Sequence, residues 1–163
     1  MSEVTPVEPT FVSLFGMYIV GWEVRTRNRD EMDPARAKIP GLWKRAIDEE
    51  LAGQIAEVRE RGVMLGAYTR YLSDDHGPYS AIVGVEVPDL DNVPRGMTGI
   101  TVLAQEYVVF PVEGEMPQAV MDGWSAVWKY FSQTTELSRA FTTDFERYDP
   151  TKPNAVEIYV AVR

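Results

Sequence analysis

The residues best suited to chemistry lie near the C-terminus, in DFERYD and VEIYVAV, which carry Glu146, Tyr148, Glu157 and Tyr159. Carboxylates interleaved with phenol rings suit one task above others, the holding of a lipophilic cation. Ring faces attract a cation through their quadrupole, by about 0.5–2 kcal/mol per contact. A carboxylate supplies the net charge. Two carboxylates placed close together raise one pKa, and a bound cation reverses that effect, so affinity should grow with pH. The rings also bury ligand surface at ~25 cal/mol per Å2. The competing explanation is a solvated sheet face, where Glu stands in water and Tyr merely packs.

Strand alternation decides which side chains act together. Val156, Ile158, Val160 and Val162 form an apolar face that should lie against a helix. Phe145 is grouped with them. Glu146, Tyr148, Glu157 and Tyr159 are then expected on the opposite face of one hairpin. The first half offers a sparser set, Tyr68 or Tyr71 with Glu86.

Other chemistries find little support. The chain has no cysteine, which excludes disulfides, thiolate zinc sites and a thiol nucleophile. His76 is the only histidine. It stands in DDHGPY, where Asp74, Asp75 and a Gly-Pro pair read as a turn rather than a metal site. A Ser-His-Asp triad would have to use it. The chain shows no nucleophile elbow, phosphate-cradling glycine loop or metalloprotease helix. No catalytic residue, metal or cofactor is therefore expected.

The totals narrow the partners. Among 163 residues, 25 are acidic and 16 basic, a net charge of −9. Such a field repels nucleic acid and favours a cationic molecule or a basic protein surface. The start MSEVTPVEPTF lacks the basic and apolar pattern of a leader, and no apolar run nears the ~20 residues of a membrane span. A soluble, cytoplasmic protein is expected, with no membrane contact.

The elements that must position these residues repeat. FVSLFGMYIVGWEVRTRN reads as strand. GLWKRAIDEELAGQIAEVRER reads as a helix, with Leu42, Ala46, Ile47, Leu51 and Ile55 on one side and Gly62 as its stop. VMLGAYTRYLSDD and YSAIVGVEVP are strands. In the second half ITVLAQEYVVFPVEG is strand-like, and MPQAVMDGWSAVWKYFSQ is helical. RAFTTDFERYD and AVEIYVAV complete it. The order strand, helix, strand, strand occurs twice, over residues 11–88 and 97–163, within one domain spanning 1–163. YIVGWEV parallels YVVFPVE, and AIVGVEV parallels VEIYVAV. The expectation is an α+β fold of duplicated units with pseudo-two-fold symmetry. Its antiparallel sheet should surround a central ligand groove.

The combination of IPGLWKRA, PRGM, YVVFPVEGEMPQAVMDGWSAVWKYF, DFERYD and VEIYVAV, in this order, resembles the GyrI-like family. This is also known as the bacterial transcription-activator effector-binding domain. The resemblance implies two strand-helix-strand-strand halves around a shared groove. It implies binding of varied small molecules, often lipophilic cations, through aromatic residues and a buried glutamate. It places the acid on Glu146, and the strand pattern adds Glu157 as a second acid. It suggests rings from Phe110, Tyr148 and Tyr159; Tyr68 joins them from the strand pattern of the first half, and the helix residues Trp43, Trp124 and Trp128 are candidates to reach the groove, with core packing expected for at least two of them. Family members often carry Pro near the end of the last strand, where this chain has Ala161. The chain looks like a single-domain member, similar to the cation-binding proteins of mobile integron cassettes. Two alternatives stay open. Some relatives hydrolyse reactive cyclopropane-type compounds with a groove glutamate, and others inhibit gyrase by contacting a protein target.

Overall fold

Two long strands, each bent once, organise the molecule, whose computed structural model describes residues 8–133 and 136–163. Residues 1–7, on which the leader expectation rests, lie outside the described residues. In chain order the elements are β1 (Thr10–Leu14), β2 (Met17–Thr26), α1 (Asn28–Glu31), α2 (Ile39–Asp48), β3 (Met64–Thr69) and β4 (Tyr79–Val87). They continue with β5 (Thr98–Val102), β6 (Gln105–Glu113), α3 (Gln118–Gln133), β7 (Thr143–Tyr148) and β8 (Ala155–Val162). The fold is α+β, as expected. No helix among the described residues is long and apolar enough to cross a membrane.

All strands join one antiparallel sheet in the order β1-β6-β8-β7-β3-β4-β2-β5. The order reads the same from either end when each strand is exchanged for its counterpart in the other half. β3 and β7 meet at the centre, with Gly66 opposite Glu146 and Tyr68 opposite Asp144.

Each expected first strand is in fact two, broken at Phe15–Gly16 and at Leu103–Ala104. The pairing nevertheless runs through both breaks in one register. Leu14 lies opposite Gln105, and Met17 opposite Val102. The edge strands β1 and β5 are thus continuations of strands at the far end of the sheet, so the sheet has to curl. Curling explains why Ile19, Ile82, Tyr107 and Ala161 are buried on a face that carries no helix. Gly21 and Gly84 sit opposite each other in β2 and β4. A Cβ on either would fall well inside van der Waals distance of a backbone carbonyl across the pair.

Both long helices pack on the other, convex face. Leu42 and Ala46 of α2 join Leu51 and Ile55 over Val20, Val83 and Val85. Ala119 and Val127 of α3 cover Val108, Val112, Ile158 and Val160. The first helix is shorter than its periodicity suggests. Glu50 adopts a left-handed backbone (φ 50°), and a single 3-10 turn over Leu51–Gln54 follows. Ile47, expected in the core, is exposed. Gly62 (φ 86°) serves the turn into β3, not a helix end.

Candidate functional site

Glu146 lies at the centre of the sheet, on the convex face, between the two helices. It is 2% exposed. Three neutral donors converge on its carboxylate. The Tyr68 hydroxyl donates to Oε2 at 2.7 Å, the Trp124 indole N–H to Oε2 at 2.6 Å, and the Tyr148 hydroxyl to Oε1 at 2.7 Å. Each donor comes from a different element: β3, α3 and β7. Trp43 of α2 closes the other side, its ring 4.8 Å from Tyr148 and edge-on. Trp124 meets Tyr68 in the same way at 5.4 Å. The carboxylate therefore stands between two aromatic walls.

Gly66 makes this approach possible. A Cβ there would come within 3.0 Å of Trp43 Cζ2 and 3.1 Å of Glu146 Oε1. A glycine inside a strand often marks such close contact, which is a signal the sequence carried unread.

Burial raises the Glu146 pKa above the usual carboxylate range, and the three donors, Trp124 first among them, only partly oppose this. Burial also raises the Tyr68 and Tyr148 hydroxyls, helped by the Glu146 charge beside them. The phenols stay protonated and remain donors. Among the described residues no ion pair reaches Glu146.

Beside it runs a second network, paired except at the Arg139 Nε, which is buried without a hydrogen-bond partner among the described residues. Asp144 is completely buried and accepts from the Arg139 guanidinium at 2.8 Å, the Tyr71 hydroxyl at 2.6 Å and the Ala161 N–H at 2.8 Å. Burial pulls the Arg139 pKa down, but the Asp144 charge and its neighbours more than restore it. The guanidinium lies over Phe141 at 4.6 Å and over Trp124 at 5.9 Å. Arg139 was not foreseen. A lone arginine before a strand gives no local sign that its partner lies on the same sheet face as the site.

The eight expected site residues divide. Glu146, Tyr148, Tyr68, Trp124 and Trp43 come together. Glu157 and Tyr159 do not. β7 and β8 pair Phe145 with Tyr159, Glu146 with Ile158 and Arg147 with Glu157. The register therefore sets Glu146 and Tyr148 on the valine face, under the helices, and turns Glu157 and Tyr159 to the concave face. Phe145 stacks on Tyr159 at 4.5 Å and 10° instead of joining the valines. Phe110 is core beneath α3, against Tyr130 at 5.4 Å and Phe131 at 6.4 Å. The DDHGPY loop is held as a turn, with Asp74 accepting from the His76 N–H and Asp75 pairing with Arg139.

A two-fold curled sheet, two helices on its convex face and a buried carboxylate ringed by aromatic donors define an effector-binding domain. Residues 10–162 match the family model of Cass2, the integron-associated effector binding protein, and the chain belongs to that family. It is similar to an integron cassette protein from the mobile metagenome of Vibrio cholerae, with 35% identity, TM-score 0.82 and 95% of each chain covered. It shares the fold of SAV2435, solved bound to tetraphenylphosphonium, at 24% identity and TM-score 0.77, over 96% of this chain and 94% of that one. It is also 30% identical over 127 residues to the transcriptional regulator BrlR of Pseudomonas aeruginosa. That match takes in 74% of this chain but 45% of BrlR, so the chain spans about half the length of this curated relative.

Proposed function

We propose that this domain binds lipophilic monovalent organic cations at Glu146. One observation carries the reading: Glu146 is a fully buried carboxylate with three neutral donors and no counter-ion among the described residues. A charge in that state costs free energy that a cation recovers. The rings of Trp43, Tyr148, Trp124 and Tyr68 offer apolar surface and cation–π contact on both sides. Because Glu146 is covered, a ligand has to displace the Trp43 or Trp124 ring to reach it. Binding is thus coupled to a rearrangement of one of these tryptophan side chains. The tetraphenylphosphonium held by the similarly folded SAV2435 belongs to the same ligand class.

Hydrolysis is less well supported. A general base needs a water within hydrogen-bond reach, and here three protein donors already occupy the carboxylate.

The test is calorimetric titration with tetraphenylphosphonium chloride. Binding to the wild type should weaken about 10- to 100-fold in Glu146→Gln, the scale of one charge-assisted contact. Equal affinity in the two proteins overturns the reading.

A further inference from the structure

The two residues that the register turns away from Glu146 lead to a separate hollow. On the concave face, where the bent strands curl over, a cavity of about 160 Å3 opens at one end of the sheet. Leu14 and Met17, on either side of the β1–β2 bend, form one wall. Leu65 and the stacked Phe145–Tyr159 pair form the other. Glu60, Glu86 and Arg147 stand at the rim.

We propose that this hollow is a second ligand site, for a small aryl-ammonium ion, independent of Glu146. Three observations support it. The first is sidedness. Glu86 is opposite Ile19 and Arg147 is opposite Leu65, both on the concave face, so a full layer of sheet separates this hollow from Glu146.

The second is charge. Arg147 is met by Glu60 at 2.6 Å, Glu157 at 3.6 Å and Asp149 at 3.9 Å, and Glu86 by Arg59 at 3.6 Å. Four carboxylates surround two guanidiniums, so the rim stays negative and attracts a cation. Among the described residues the Glu86 carboxylate holds only the long contact to Arg59, and it is a quarter exposed, which leaves it open to an incoming ammonium.

The third is size. At ~30 Å3 per water the hollow holds about five waters, and it falls short of the ~300 Å3 at which drug-sized pockets begin. One ring with a short aminoalkyl tail fits. A four-ring phosphonium does not. The Phe145–Tyr159 stack offers the ring an aromatic surface, and the Tyr159 face suits the ammonium.

Phenethylammonium chloride is the probe, followed through the backbone amide signals of Leu65, Phe145, Arg147 and Tyr159. Those signals should move on titration in the wild type and in Glu146→Gln alike. Leu14→Trp, which fills the hollow, should abolish the shifts. Glu86→Gln lies at a partly exposed position that does not threaten folding, and it should weaken binding about fivefold. The proposal is overturned if the amides stay still in the wild type. It is also overturned if the shifts vanish in Glu146→Gln, or if Glu86→Gln leaves the affinity unaltered. The first result leaves tetraphenylphosphonium binding at Glu146 untouched, and the second would move the aryl-ammonium to Glu146 itself, so failure of this site is distinguishable from failure of that one.

Discussion

Asp144 and Glu146 project from the same face of β7, two residues apart, yet among the described residues only Asp144 has a counter-ion, Arg139 at 2.8 Å. The pairing keeps the site's charge to a single free carboxylate, even though two acids lie side by side.

Arg139→Met should therefore be costly in stability. It leaves Asp144 buried with two neutral donors and no cation, a change that typically costs about 3–5 kcal/mol. The double variant Arg139→Met with Asp144→Asn should recover much of that loss, because the uncompensated charge is gone. Urea unfolding of the wild type, both single variants and the double variant measures the coupling. Additive losses would show that the pair is not acting as an ion pair.

The pH dependence follows from Glu146. Its pKa is raised in the free protein, and a bound cation favours the ionised form. Affinity for tetraphenylphosphonium should thus be weak at low pH, rise through the range above the ordinary glutamate value, and level off once Glu146 ionises unaided. The slope should approach about tenfold per pH unit for one linked proton. Stability of the free protein runs the other way. The folded state holds the proton more tightly than the unfolded chain, so stability falls as pH climbs from the ordinary pKa to the raised one. Glu146→Gln should flatten both curves. Calorimetry in buffers of different ionisation enthalpy would detect the released proton directly.

Much of this arrangement was legible in the chain and some was not, for physical reasons. The valine alternation in VEIYVAV and the Leu42–Ala46 spacing in α2 were readable because each marks a face covered by one apolar partner. The pairing of β7 with β8 was not. Both faces of these strands are buried, Phe145 and Ala161 on one side and Glu146 and Ile158 on the other. Alternation then no longer separates inside from outside, and a slip of one residue exchanges the faces. The expected hairpin put all four acids and phenols together. The observed register divides them into Glu146 with Tyr148 and Glu157 with Tyr159. The bends at Phe15 and Leu103 were hidden because the strand residues on both sides look alike, and only the cross-pairing of the two halves reveals them.

Trp124→Phe keeps a ring at the α3 wall but removes the N–H that Glu146 accepts at 2.6 Å. That donor opposes the effect of burial on the carboxylate. Its loss should move the pH midpoint of cation binding further up and lower affinity most on the acid side. Tyr68→Phe should act in the same direction. A cut in affinity equal at every pH would mean that Trp124 contributes contact surface alone.

The close approach of β2 and β4 depends on Gly84 and Gly21, and a single methyl group tests it. Across this pair each Cβ would be driven into a backbone carbonyl, Val20 O from Gly84 and Val83 O from Gly21. Main chain held by two ladders cannot step aside as a side-chain tip can, since β2 is bonded to β4 on one side and β5 on the other. Gly84→Ala should cost about 3 kcal/mol or more, at the upper end of overpacking effects. Gly41→Ala, on α2 with open space around its Cβ, is the control and should be neutral or slightly stabilising. Thermal unfolding of the two variants decides the matter. Near-wild-type stability in Gly84→Ala would mean that the backbones of β2 and β4 can separate at little cost.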